Sequence, residues 1–161
     1  FHGIPQDSFR NGDPYFCQCQ ATARALRERL DLREDDVIVS FQSRVGREPW
    51  LAPYTDEVFR KLPGQGVRRV QVLCPGFAVD CLETLEEIAI RNREYFLAAG
   101  GERLEYIAAL NAGADHVAAL SELILRNGQG WPEFDPAWDA ARVGAQRTAA
   151  QGRAERMRDA R

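Results

Sequence analysis

No stretch of the 161 residues approaches the roughly 20 consecutive apolar residues that a bilayer span requires. The first residues also lack the charged-then-apolar order of a secretory leader, so the cytosol is the expected compartment. A basic excess is missing too: 21 Lys and Arg against 24 Asp and Glu leave a net charge of −3, and nucleic acid is excluded as an expected partner. Cysteine is scarce. Cys17, Cys19, Cys74 and Cys81 include no C-x-x-C pair, and the two histidines do not stand at zinc-ligand spacing from them. Neither a zinc module nor an iron–sulfur cluster is signalled, and reduced thiols are expected. Glycine (13) and proline (8) are too few for general disorder, while 45% hydrophobic residues suffice for one domain with a sizeable core.

What the chain does have is concentrated in residues 73–96, LCPGFAVDCLETLEEIAIRNREYF. Residues 67–73 (VRRVQVL) alternate as a strand does, and Pro75-Gly76 break the extended run. Leu82, Leu85, Ile88, Ala89 and Phe96 then recur at helical spacing, which predicts an amphipathic helix over 80–98, ended by Gly100 and Gly101. On that helix Glu83 and Glu87 stack four apart, Asp80 stands one turn earlier, and Glu86 lies to the side. Like charges at this spacing repel, so solvent, Arg91 and Arg93, or a bound cation must compensate. Arg91 is placed to pair with Glu87. Both a solvated acidic face and a cation site fit the pattern, and the position of the row at a strand's carboxyl end favours a ligand.

Around this stretch, residues 1–14 read as a loop at the exit of a strand whose body is absent, which places His2 at a strand end and suggests a segment of something longer. Residues 15–30 form a surface-packed helix, and 37–41 (VIVSF) a short buried parallel strand followed by the loop Gln42-Ser43-Arg44-Val45-Gly46. Trp50 reads as core, and Tyr54-Thr55-Asp56 opens a short helix through about Leu62. Residues 103–107 (RLEYI) are a third strand, and 115–126 a closing helix with Val117, Leu120, Leu123 and Ile124 inward and His116 in solvent. From 127 the chain becomes turn-rich, then rich in Ala and Arg, so 127–161 is expected as a helical or partly disordered extension and 1–126 as the folded lobe. Helices alternating with strands require crossovers. The expected fold is therefore a three-layer parallel α/β sheet, with His2, the 42–50 loop and the 77–83 turn meeting at its exit edge.

FHGIP at 1–5, GDPY at 12–15, FQSRVGREPWL at 41–51, PYTDE at 53–57 and CPGFAVDCLETLEEI at 74–88 together resemble the C-terminal half of bacterial ferrochelatase. The resemblance implies a chelatase-like lobe, one of two similar lobes, in an enzyme that inserts Fe²⁺ into protoporphyrin IX to form haem. It implies that His2 and Glu83 are catalytic and flank the porphyrin, that Trp50, Phe77, Gln42, Ser43 and Arg44 bind it, and that His2, Glu83, Asp80 and Glu87 handle the metal. Two departures from the family pattern are Cys81, where many relatives have His, and Arg91, where some carry an acid. No cofactor is implied, Fe²⁺ being a substrate, and the absence of cysteine after Cys81 argues against an iron–sulfur cluster in this chain. Implied partners are porphyrin, Fe²⁺, the missing N-terminal lobe and a peripheral membrane contact. The alternative is a non-catalytic chelatase-like protein that binds a tetrapyrrole or a divalent metal.

Overall fold

The computed structural model of the chain describes residues 1–159. Its contacts divide it into two compact units, residues 1–113 and the chain from Ala114 onward. The first holds α1 (Gln6–Arg10), α2 (Tyr15–Arg29), α3 (Thr55–Lys61), β1 (Arg69–Leu73), a π-helical segment (Glu83–Asn92), α4 (Arg93–Ala98) and β2 (Arg103–Ile107). Strands β1 and β2 pair in parallel with Val70 opposite Leu104 and Leu73 opposite Ile107, joined across the π segment and α4. This is a mixed α/β unit with one small parallel sheet.

Alternation read from the sequence predicts both strands, because each presents one side chain in two to the helix layer: Val70 and Val72 pack on a buried cluster of Phe59, Leu62, Phe96 and Leu104. Phe96 is fully enclosed, its ring edge-on to Phe59 at 6.1 Å. Gly101 has no side chain for a steric reason: a Cβ there would run into the Phe96 ring. A second cluster, Cys19, Phe41 and Leu51, gathers Phe1, Ile4, Tyr15, Phe16 and Val39 around it.

Three expectations need correction. Residues 37–41 form no ladder and are not a buried strand; Ile38 is 54% exposed. Instead Phe41 and Gln42 make isolated bridges to both sides. Phe41 N–H donates to Pro53 C=O and Thr55 N–H to Phe41 C=O, while Gln42 N–H donates to Phe1 C=O and Gly3 N–H to Gln42 C=O. The helix expected from Asp80 starts at Glu83 and is wound with i→i+5 hydrogen bonds over its first ten residues. That winding buries Thr84, Ile88, Asn92 and Phe96, whereas Leu82 (72%) and Leu85 (48%) are exposed. The same register places residues five apart together, so Arg91 pairs with Glu86 (2.6 Å) and not with Glu87.

The second unit contains α5 (Ala114–Asn127), a short 3₁₀ turn at Pro132–Phe134 and α6 (Ala140–Asp159). Gly128 lies beneath the Phe134 ring, which leaves no room for a Cβ. On α5 the face expected inward is exposed: Val117 50%, Leu120 45%, Leu123 48% and Ile124 63%. Periodicity locates an apolar face but does not supply the surface it meets. His116, expected in solvent, is half-buried. No helix among the described residues is long and apolar enough to cross a membrane.

Enclosure of Phe96 makes it the most sensitive core position. Phe96→Ala is expected to lower stability by about 3–5 kcal/mol in urea unfolding, and Gly101→Ala to cost about 1–3 kcal/mol by displacing the same ring.

Candidate functional site

The site grows from the amino terminus. Residues Phe1–Gly3 run beside Gln42, and the approach is so close that a Cβ on Gly3 would stand 3.1 Å from both the Gln42 carbonyl and the Trp50 ring. Tyr15 Oη–H donates to the His2 carbonyl (2.9 Å), tying this edge to α2. The His2 ring places Nδ1 2.6 Å from the Gly3 carbonyl oxygen. A carbonyl only accepts, so Nδ1 carries the proton and the neutral ring has a bare lone pair on Nε2. The ring lies against Trp50 at 6.3 Å and Phe77 at 6.4 Å between centroids. Trp50 is thus a half-buried wall and not the core residue expected; its indole N–H is fixed on the Val45 carbonyl (2.8 Å).

Gln42 connects this edge to the π segment. Its side chain is buried, with the amide N–H₂ donating to the Glu83 carbonyl (2.8 Å) and the amide oxygen accepting from the Cys74 thiol (3.4 Å). Burial also pushes the Cys74 thiol up to about 11, so it stays a neutral donor. Next in the chain, Ser43 has a left-handed backbone (φ 65°) and grips Glu87 with both its N–H (2.9 Å) and its hydroxyl (2.5 Å). Arg44 turns away to Asp56 (3.1 Å) and Glu57 (3.4 Å), its guanidinium 4.1 Å over the Tyr54 ring. Gln42 and Ser43 are tied into the protein and Arg44 braces the loop on α3, while all three line the cleft beside the π segment.

The Glu83 carboxyl is held below its usual range, first by a hydrogen bond from Cys81, then by its own backbone N–H and, whenever the His2 ring takes up a second proton, by that charge, against some desolvation. Glu83 also lines a cleft of about 390 Å³ whose wall includes Ser43, Glu86, Glu87 and Arg91. With Gln42 it belongs both to the acidic cleft and to the His2 surroundings.

Asp80 is placed differently. Oδ1 accepts from Tyr106 Oη–H (2.6 Å), Thr84 Oγ1–H (3.1 Å) and Ala109 N–H (3.2 Å), and Oδ2 accepts from Asn111 Nδ2–H (2.8 Å). These bonds, with Asn111 and Tyr106 the strongest, push its carboxyl down to about 2. The structure brings His2, Trp50, Phe77 and Glu83 to one place. It does not gather His2, Asp80, Glu83 and Glu87 into one ligand set, and among the described residues no group of three or more His, Cys, Asp or Glu side chains is arranged to hold a metal ion. Sequence reasoning passed over Tyr106 and Asn111, whose contacts to Asp80 are defined only by the tertiary fold, and the local Cys81 contact to Glu83, which no motif marks.

A carboxylate depressed on folding contributes stability above its unfolded pKa and loses it as pH falls through its folded value. For Asp80 the stability difference between the native chain and Asp80→Asn is therefore expected to hold steady down to about pH 5 and to close between about pH 4 and pH 2. Urea unfolding across that range checks it; a difference that persists undiminished at pH 2 is incompatible with an ionised, hydrogen-bonded Asp80.

The sequence pattern of the Ferrochelatase family matches residues 1–128. A Ferrochelatase of Idiomarina loihiensis is 60% identical over 135 residues, covering 84% of this chain and 37% of the relative. One of Teredinibacter turnerae is 60% identical over 131 residues (81% of this chain, 36% of the relative), and one of Thioalkalivibrio sulfidiphilus is 52% identical over 158 residues (98% and 41%). The chain thus spans well under half the length of these curated relatives. With the family pattern covering residues 1–128 and relatives 52–60% identical over 131–158 residues, the chain belongs to the ferrochelatase family.

Proposed function

We propose that this chain is the metal-inserting C-terminal lobe of a ferrochelatase that places Fe²⁺ in protoporphyrin IX to form haem. The carrying observation is the pairing of a bare Nε2 on His2, set against two aromatic rings, with an ionised Glu83 on the neighbouring element. Insertion exchanges two pyrrole N–H protons for one dication, so the reaction needs a base and an anion close to the same ring. His2 Nε2 accepts the pyrrole protons one at a time and returns them to solvent. Glu83, already depressed below the ordinary carboxylate range, is a poor base and a good partner for the incoming Fe²⁺.

Trp50 and Phe77 supply the flat apolar surface that a macrocycle requires. Glu87, beyond Glu83 on the cleft wall, is the outer carboxylate on the metal's way in. The other porphyrin face belongs to an N-terminal lobe of the same enzyme, consistent with the 36–41% of relatives' length that this chain covers. In that assembly the small parallel sheet is part of a three-layer chelatase fold. The enzyme works in the cytoplasm with peripheral access to the membrane, and residues 127–161 extend the lobe without a catalytic role.

Anaerobic Fe²⁺ insertion, followed by loss of porphyrin fluorescence, tests the assignment on the full-length enzyme. His2→Ala and Glu83→Gln are each expected to lower turnover by about 100-fold or more with the fold intact. Turnover like the native enzyme's in either variant removes that residue from the site. A folded native enzyme that binds porphyrin but inserts no metal supports the binding-protein alternative.

A further inference from the structure

We infer that Tyr106 and Asn111, on β2 and its exit loop, are positioning residues for Glu83, acting through Asp80. This rests on the site reading given above. Asp80 stands in the connection between β1 and the π segment, three residues before Glu83. Its carboxylate receives four hydrogen bonds, three on Oδ1 and one on Oδ2, so most of its accepting capacity is used within the protein. Asp80 is an anchor.

The anchor is tied at both ends. From β2 comes Tyr106 Oη–H at 2.6 Å, the short bond of a neutral donor to an anion, and from its exit loop the Ala109 N–H. Asn111 clasps Asp80 twice, its Nδ2 donating to Oδ2 (2.8 Å) and its Oδ1 accepting from the Asp80 backbone N–H (2.8 Å). Asn111 also donates its own N–H to the Ala78 carbonyl and holds a left-handed backbone (φ 50°), a conformation that asparagine tolerates better than most residues. Towards the site, Asp80 Oδ1 accepts from Thr84, a fully buried hydroxyl that in turn accepts from the Cys81 N–H (3.0 Å). Cys81 and Thr84 bracket Glu83 in sequence, and the Cys81 side chain touches its carboxylate. The first turn of the π segment is therefore fixed to β2 by a run of hydrogen bonds ending on the residues that flank Glu83. Catalytic groups must be held within about 0.5 Å of their working position, so slack in this run reaches the reacting centre.

The test is a double-substitution cycle in the full-length enzyme, with Tyr106→Phe and Glu83→Gln made singly and together. Tyr106→Phe removes one oxygen and keeps the ring. It is expected to lower kcat for Fe²⁺ insertion about tenfold while KM for porphyrin stays within about twofold, and to speed amide hydrogen exchange in residues 82–85. In the Glu83→Gln background the same change is expected to cost less than about twofold, because the group it positions has gone. An undiminished tenfold loss in that background, a raised KM with unchanged kcat, or native kcat in Tyr106→Phe overturns the inference while leaving Glu83 in place. Full activity in Glu83→Gln alone overturns the site reading and the inference with it. Asn111→Ala repeats the cycle from the other side of Asp80. If both variants fail to fold, the clamp is a support of the lobe and the positioning role is rejected.

Discussion

The buried side-chain amide of Gln42 is the interaction on which the site depends. One residue joins three separate pieces of backbone: its main chain bridges to Phe1–Gly3, its amide nitrogen reaches the Glu83 carbonyl, and its amide oxygen takes the Cys74 thiol. A buried amide left unpaired costs about 1–3 kcal/mol, so the three pieces are held together by the need to satisfy it. His2 stands on one of those pieces and Glu83 on another. Their opposition follows from the bracket, since no hydrogen bond joins the two side chains among those described.

The π winding has a parallel effect on the acidic side. In an α-helix Glu83 and Glu87 would share a face with Arg91 four further on, and the cation would neutralise the row. Winding by i→i+5 sends Arg91 to Glu86 and leaves Glu87 to Ser43. Glu83 keeps its charge available to the cleft, stabilised by a thiol and a backbone N–H that are themselves neutral. The left-handed Ser43 is the local strain that accompanies this arrangement, and its double hydrogen bond to Glu87 offsets it.

Much of the scaffold was legible in the sequence. Alternation over 67–73 and 103–107 located both strands because their faces differ in burial, and turn residues at Pro75-Gly76 and Gly100-Gly101 located the helix between them. The short motifs pointed to His2, Trp50, Phe77 and Glu83, which the fold does bring together. The π register was not legible: a 3.6-residue template placed Leu82 and Leu85 inward, whereas Thr84 and Asn92, both polar, occupy that line. Nor were the tasks of Asp80, Gln42 and Arg44. Each was visible as a polar residue near a turn, but partners that fix its task lie more than ten residues away. The 37–41 run illustrates the same limit, since apolar composition describes a strand without saying whether a neighbour will pair with it.

The bonds that build the site are long in sequence. Thirty-nine residues separate the amino terminus from Ser40, 41 separate Gln42 from Glu83, and 31 separate Asp80 from Asn111. Each such contact closes a large loop of disordered chain before it returns any stabilisation, so none forms reliably in a partly folded molecule. Helices such as α2 can arise from local preference, but His2 and Glu83 are brought into one neighbourhood only once the whole unit has condensed. The histidine nitrogen and the carboxylate thus come together late, and a chain stalled before completion holds no assembled cleft.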